Sequence, residues 1–285
     1  MSSLSSVSEA ATVIAKEPVA QHAARIPGPL RGTVTLVLQT AFAQRLVIGR
    51  LANLDRNGVL GLFSFAELLR TIWHAAAGSD PYAEWWLLKV ERALAVAADE
   101  LEPLQAKALG LLSENEALLV APASSVRPVV TDLEFSTPQA YRGAQLIGRY
   151  DAIARAVLTA RHVGCVPADV ATRMLWRAGQ VIRSAFGSAR GYVPTGVTRA
   201  DLIHGTPRAT VVVEKMGALP SVVLNETAVA DHLPKRQRFI AGEYSVTDAA
   251  TALSDAPPIV ASDAIGRGAM TSMFEDDLIE LFELP

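Results

Sequence analysis

Two segments of the sequence share the same order of features. Residues 35–50 read TLVLQTAFAQRLVIGR, and residues 131–149 read TDLEFSTPQAYRGAQLIGR. Each begins with a partly alternating run typical of a strand, passes through a threonine into a helical pattern, and ends in Ile-Gly-Arg. An aromatic residue, Phe42 or Tyr141, stands early in each helix. The likeness is short, so both a true duplication and a coincidence stay open.

The two strands constrain the fold because a single strand is not stable by itself. The runs TVTLVLQT at 33–40 and VVTDLEFST at 129–137 could pair antiparallel into a two-stranded ribbon that is backed by helices. Such a ribbon has the right width to enter the major groove of DNA. We therefore predict a mainly α protein with a small two-stranded β-ribbon, a helical core and a ribbon–helix–helix-like element.

The faces of this predicted ribbon differ in charge. Thr33, Thr35 and Gln39 share one face of the first strand by alternation, and their side chains suit contacts with bases or phosphates. The second strand offers Asp132 and Glu134, which repel phosphates. These acids are the main objection to a ribbon that faces DNA, unless they turn toward arginines.

A helical hairpin is predicted over residues 64–102. Gly78 suits the end of the first helix, and Asp80 followed by Pro81 is the usual start of the second. Within the second helix, a rotation of 100° per residue puts Trp86 on the apolar face and Trp85 on its shoulder. Trp86 is therefore expected in the core, and Trp85 against another aromatic residue or a partner.

The composition along the chain predicts three segments. Residues 1–26 are rich in Ser and Ala and are predicted to be disordered, residues 27–220 to form the helical core with its ribbon, and residues 221–285 to form a linker and an acidic, largely disordered tail. The start of the chain lacks the basic and apolar regions of a secretory signal, no run of 18 apolar residues occurs, and Cys165 is the single cysteine. A cytoplasmic protein that does not enter a membrane is expected.

Arginines are concentrated in one part of the sequence. Residues 141–208 contain ten arginines, no lysine and three acids, which gives a net charge of +7. Arginine binds phosphates through two parallel hydrogen bonds and contacts guanine, so double-stranded DNA is the expected partner, although a solvated helix surface would also explain such a block. The candidate nucleic-acid-binding residues are Thr33, Thr35, Gln39, Arg142, Arg149, Arg173, Arg177, Arg183 and Arg190.

The last part of the chain is strongly acidic. Residues 241–285 contain nine acids and one arginine, a net charge of −8. The segment MFEDDLIELFELP at 273–285 could form a short amphipathic helix on a partner. The candidate partner-binding residues are Trp85, Phe274, Leu278, Leu281 and Phe282. Alternatively, the tail covers the arginine block in the manner of a DNA mimic.

Patterns for catalysis or cofactor binding are missing from the sequence. There is no phosphate loop, no dinucleotide fingerprint and no cysteine pair for zinc. His162 lies three residues from Cys165, but this spacing at a helix end is more typical of a buried cysteine than of a nucleophile with its base. We expect neither an enzyme nor a bound metal or cofactor.

Three separate motifs resemble a known family. They are DPYAEWWLLKVERAL at 80–94, YDAIARAVLTARHVG at 150–164 and GYVPTGVTRADL at 191–202. Over residues 30–220 the chain resembles proteins carried by integrating conjugative elements, a group placed with the AcaB-type transcriptional regulators. The resemblance implies a DNA-binding regulator of conjugative transfer genes that has a ribbon–helix–helix-like element and could act as a homodimer. The alternative is a non-enzymatic adaptor of the transfer machinery, in which the acidic tail binds protein partners.

Overall fold

The structure is a computed structural model that describes residues 32–52, 58–113 and 119–236. The chain divides into two compact units, Met1–Thr33 and Val34–Pro285, and every helix and strand named here belongs to the second. The strands are β1 (Val34–Leu38) and β2 (Val129–Leu133). The helices are α1 (Ala41–Ile48), α2 (Leu62–Ala77), α3 (Pro81–Gly110), α4 (Pro138–His162), α5 (Ala168–Gly187), α6 (Arg199–His204), α7 (Pro207–Met216) and α8 (Ser221–Leu224). This mainly helical fold confirms the predicted class.

The two strands form one antiparallel ribbon. Val34 lies opposite Leu133, and Leu38 lies opposite Val129. Both strands follow the same burial pattern, with an exposed start and a buried last residue. The predicted pairing of the two distant segments is therefore confirmed. Burial of Leu38 and Leu133 in the helical core stabilises it.

Two glycines close the connection between α1 and α2. Gly49 has φ of +71°, and a Cβ there would lie 2.5 Å from the carbonyl oxygen of Val59. A Cβ at Gly61 would lie 2.5 Å from the backbone nitrogen of Gly49. The two backbones can approach this closely only because neither Gly49 nor Gly61 has a side chain. Two backbone hydrogen bonds between Arg50 and Val59 hold the segments together.

The hairpin of α2 and α3 forms as the sequence predicts, with a connection of only three residues. Asp80 caps α3 by accepting hydrogen bonds from the backbone nitrogens of Tyr82 and Ala83. The hairpin extends beyond the predicted range of 64–102 at both ends, because α2 begins at Leu62 and α3 ends at Gly110. In particular, α3 continues through Pro103. A proline removes one hydrogen bond and usually bends or breaks a helix, but packing continues on both sides of it, where Leu101 and Ala108 are fully buried.

The core lies between α2, α3, α4 and α5. Its centre is a stacked pair of rings, Phe65 of α2 and Phe186 of α5, whose centroids lie 4.4 Å apart. Gly143 of α4 faces this pair, and a Cβ there would lie 3.1 Å from either ring. A larger residue would overpack this site, so Gly143 is what allows α4 to approach both neighbouring helices.

The packed part of the chain extends beyond residue 220, where the sequence predicts a linker to begin. Val223 of α8 and Ala230 are buried. The backbone nitrogens of Asp231 and His232 donate to the carboxylate of Glu91 in α3. Short apolar segments with little periodicity are hard to distinguish from linkers in a sequence, and here a buried acid on another helix holds the segment in place.

Candidate nucleic-acid interface

The ribbon presents one face to solvent. Its inner face carries Leu38 and Leu133, whereas its outer face carries exposed residues of both strands. These outer residues are Thr35, Val37, Val130 and Asp132. Val37 is 46% exposed and Val130 is 61% exposed. Because they lie opposite each other across the ribbon, they form a small apolar patch that the rest of the described chain does not cover.

A polar pair lies beside this patch. The Thr35 hydroxyl donates to Oδ1 of Asp132, which lies opposite it, at 2.8 Å. The pair neutralises no charge, but it fixes the orientation of the carboxylate. The predicted Thr35 is thus on the exposed face, whereas Val37 and Val130 are not among the residues predicted to bind nucleic acid. Alternation between residues 35 and 39 would have placed Val37 on this face.

The other two ribbon residues proposed from the sequence are placed differently. Thr33 is exposed and precedes β1. Gln39 follows β1, and its side-chain oxygen accepts a hydrogen bond from the backbone nitrogen of Ser125 at 2.9 Å. Gln39 therefore braces the segment that leads into β2, and its amide does not face outward with Thr35.

A buried carboxylate holds the ribbon on the helices. Asp151 of α4 is 4% exposed. It accepts hydrogen bonds from the backbone nitrogens of Gln39 and Thr40, at 3.0 and 2.9 Å, and from the Thr40 hydroxyl at 2.7 Å. The same hydroxyl caps α1 by accepting from Ala43. The exit of β1 is thereby fixed to the middle of α4.

Arg155 fixes the segment before β2 in a similar way. Its guanidinium donates to the carbonyl oxygens of Ala123 and Pro122 and to the Ser124 hydroxyl. Arg127, which stands just before β2, is exposed. It lies two residues before the start of β2, at one end of the ribbon, and it is not among the arginines predicted to bind nucleic acid.

The six arginines predicted to bind nucleic acid do not form one surface. They lie on α4, on α5 and just after α5, and most contact the protein itself. Arg173 pairs with Asp169 at 2.7 Å, and Arg177 pairs with Glu100 at 2.9 Å. Arg149 and Arg190 donate to the carbonyl oxygens of Ala98 and Gly58, whereas Arg142 is half-buried on α4.

Arg183 is half-buried on α5 and lines a cavity. Its pKa is lowered to about 10, mainly by burial; Tyr150 acts in the opposite direction, and the positive charge of Arg50 adds to the lowering. The six arginines therefore lie on several surfaces, and their contact with nucleic acid stays a prediction. Periodicity shows which face of a helix a residue occupies, but it does not show which neighbouring element covers that face.

The paired tryptophans at the start of α3 occupy the positions that the helical rotation predicts. Trp86 is 8% exposed and donates from its indole nitrogen to the carbonyl oxygen of Arg190. Trp85 is half-buried and packs edge-on against Trp86 and beside Tyr82. Lys89 lies over both indoles, and burial lowers its pKa to about 8. Trp85 thus has contacts within the protein, and its role in partner binding stays a prediction.

The remaining candidates for partner binding are Phe274, Leu278, Leu281 and Phe282, and all of them lie outside the described residues. The same holds for the acidic tail as a whole. In the described part of the chain, no helix is long and apolar enough to cross a membrane. No group of three or more potential metal-binding side chains occurs among the same residues.

The structure is a helical body that exposes a two-stranded antiparallel ribbon. The chain was compared with models of known families and with known proteins. The family model described as "Transcriptional regulator AcaB" matches residues 26–236, so the class of protein is a transcriptional regulator. The chain belongs to the AcaB family.

Among solved structures, the chain is similar to one titled "Crystal structure of selenomethionine-containing AcaB from uropathogenic E. coli". The TM-score is 0.46 and the sequences are 13% identical, with 70% of this chain and 98% of that chain covered. No curated protein sequence matches this chain.

Proposed function

We propose that the protein is a DNA-binding transcriptional regulator of the conjugative transfer genes of an integrating element, and that the outer face of its ribbon enters the major groove. The observation that carries this proposal is the exposed, helix-backed ribbon, since a two-stranded ribbon fits that groove. Membership of a transcriptional regulator family supports the regulatory role. The protein would act in the cytoplasm, where it meets the DNA of the element.

The side chains on the outer face suit direct contact with bases. Val37 and Val130 can contact the methyl group of thymine, Thr35 can bond to several base edges, and the Asp132 carboxylate can accept from the amino group of cytosine. An acid at this position weakens binding to the backbone in general, but it favours sites that place a cytosine there. The ribbon is therefore suited to selection of a sequence more than to tight binding of any DNA.

Phosphate contacts would come from the ends of the ribbon and not from an arginine surface. Arg127 precedes β2 and is exposed, so it can reach the backbone beside the groove. Because one chain completes one ribbon, a single protomer can occupy one groove. A homodimer, which the sequence left open, would place two ribbons on neighbouring turns of the duplex, ~34 Å apart.

A binding experiment with paired variants tests the ribbon. Fluorescence anisotropy is measured on labelled promoter DNA of the element's transfer genes, at salt from about 50 to 200 mM. The double variant Val37→Glu/Val130→Glu is expected to bind at least about tenfold more weakly, because it places two carboxylates against the DNA. Val211→Glu is the matched control, because Val211 on α7 is 48% exposed and lies away from the ribbon in sequence.

The outcomes separate the function from the site. Absence of wild-type binding at low salt removes the DNA-binding function. Equal affinity of the double variant and the wild type leaves DNA binding intact but moves it away from the ribbon.

Arg127→Gln tests the contact with the DNA backbone, because loss of one phosphate contact reduces the slope of log affinity against log salt by about one. Circular dichroism of each variant confirms that it folds.

A further inference from the structure

A groove of about 350 Å³ lies between α3 and α5. Its described lining falls within residues 92–100 of α3 and 177–185 of α5, so the groove follows each helix for about two turns, ~12 Å. The floor consists of buried small side chains, Ala97, Val181 and Ala185. On the wall formed by α3, Val96 is 55% exposed. The described part of the chain thus leaves an apolar surface of this length open to solvent.

Charged side chains stand at the rim of the groove. Arg92 of α3 is exposed, and Arg177 of α5 pairs with Glu100 of α3 at 2.9 Å. The described lining therefore carries two cations and one acid, a net charge of +1. Because the pair of Arg177 and Glu100 is exposed, it contributes little stability, and the guanidinium has further N–H donors for a second carboxylate. The rim favours an anionic partner.

A polar group in the groove also lacks a hydrogen bond. Gln180 of α5 lines the groove, and its side-chain oxygen is buried and accepts no hydrogen bond in the described part of the chain. A buried acceptor without a donor is unfavourable. An N–H group of a bound segment would satisfy it, whereas a purely apolar ligand would not.

A segment with matching chemistry occurs in the same chain. Residues 273–285 contain five acids and no lysine or arginine. Their apolar residues recur with helical spacing over eight residues, which corresponds to ~12 Å of helix, the length of the groove. These apolar residues are Phe274, Leu278, Leu281 and Phe282. The segment therefore combines an apolar side for the floor with acids for the two arginines of the rim.

The segment can reach the groove of its own chain. The described part ends at Arg236, which pairs with Glu84 of α3 at 3.2 Å. Glu84 lies about two turns, ~12 Å, before Arg92 on the same helix. The 36 residues from 237 to 272 would span ~33 Å even as a random coil. Since a tethered segment acts at an effective concentration on the order of millimolar, even a weak contact would be occupied.

We propose that the acidic segment 273–285 of this chain binds in the groove between α3 and α5, with its apolar side chains on the floor and its acids toward Arg92 and Arg177. The ribbon packs mainly on α1 and α4, so the groove belongs to other helices and the proposal does not depend on DNA binding. A tail held there would leave the outer face of the ribbon uncovered.

Disulfide trapping in the full chain tests the position of the segment. Cys165, the single cysteine, is replaced by serine in every variant. Ser184→Cys places a thiol on the exposed wall of the groove, and Ile279→Cys places one in the segment while the four apolar residues stay. A disulfide requires Cβ atoms within about 4.5 Å of each other. This pair is therefore expected to oxidise at least about fivefold faster than a control pair outside the groove.

The control pair is Ser221→Cys with Ile279→Cys. Ser221 is exposed on α8 and lies closer in sequence to position 279 than Ser184 does. Without docking, the shorter loop would favour the control pair. Faster oxidation of the pair at 184 and 279 within one chain therefore supports a bound segment, whereas equal rates or faster oxidation of the control pair would overturn the proposal.

Two further variants test the contact itself. Val96→Glu places a carboxylate opposite the acids of the segment and is expected to slow oxidation between positions 184 and 279 at least about fivefold. Leu109→Glu is the matched control, because Leu109 is 47% exposed on the same helix and lies outside the groove, and it should leave the rate unchanged. Circular dichroism confirms that each variant folds.

The remaining outcomes also decide between occupants. Equal rates in Val96→Glu and Leu109→Glu would overturn the proposal, because the groove would then have no part in the contact. A disulfide between two chains, seen as a dimer on a non-reducing gel, would mean that the segment occupies the groove of a second copy, and it would overturn the docking within one chain.

Discussion

The two strand–helix units of the ribbon look alike in sequence but are held in different ways. In the first unit, β1 leads through Thr40 into α1, which has only eight residues. In the second, β2 leads through Thr137 into α4, which has 25 residues and contacts most of the core. Thr40 caps its helix with its hydroxyl, whereas Thr137 is 1% exposed and makes no such bond.

The junctions between strand and helix are fixed differently in the two units. Asp151 of α4 accepts three hydrogen bonds from the junction of β1 and α1. The junction of β2 and α4 is fixed instead within its own unit, since the Tyr141 hydroxyl accepts from the backbone nitrogen of Phe135 and donates to the carbonyl oxygen of Leu133. The first unit therefore depends on the second, and similar sequence does not imply similar stability.

The largest expected effect concerns the carboxylate that joins the units. Asp151→Asn exchanges a charged acceptor of three hydrogen bonds for an amide that can offer only one oxygen. We expect a loss of about 2–4 kcal/mol in the free energy of unfolding, measured by urea denaturation. Asp169→Asn is the control, because it removes an exposed ion pair with Arg173 and should cost less than ~1 kcal/mol. Equal effects of the two variants would contradict the dependence of the first unit on α4.

A second prediction compares the two threonines directly. Thr40→Val removes the cap of α1 and the bond to Asp151, and it should cost about 1–2 kcal/mol. Thr137→Val is of the same shape, but the Thr137 hydroxyl is buried without a hydrogen-bond partner in the described part of the chain. Its removal should change the stability by less than ~0.5 kcal/mol or raise it. Urea denaturation of both variants decides the matter, and similar losses would show that the two junctions are equivalent.

The smallest expected effect concerns the junction of the second unit. Tyr141→Phe removes a hydroxyl that bonds to the backbone on either side of it but keeps the ring, which packs against Phe135 with centroids 5.3 Å apart. We expect a loss of about 0.5–1.5 kcal/mol in the free energy of unfolding. A loss as large as that of Asp151→Asn would mean that both units rely on one critical contact each, so that the support is not one-sided.

The sequence predicts the parts of this fold that depend on local patterns. The alternation in both strands, the shared threonine, and the short connection before Asp80 and Pro81 lead directly to the ribbon and the hairpin. Each of these features is fixed by the backbone and by nearby residues. The fold class and the position of Trp86 in the core follow from the same local periodicity, because helical rotation is the same wherever a helix lies.

The contacts of the candidate site could not be predicted from local patterns, because long side chains can reach distant helices and strands. Arg173 and Arg177 share a helix face, yet they pair with acids on two different helices, Asp169 and Glu100. No pattern near Asp151 shows that a carboxylate within α4 will face Thr40, which lies 111 residues earlier. Charge density in a sequence is therefore a poor guide to charge density on a surface.

Completion of the ribbon by one chain has a consequence for the proposed complex with DNA. The two strands pair in a symmetric register but carry different side chains, with Thr35 on one and Asp132 at the matching place on the other. Rotating a lone protomer by half a turn would exchange these two groups. A site bound by one molecule would then have a left and a right end, so the regulator could mark the direction of a promoter without a second copy or a palindrome.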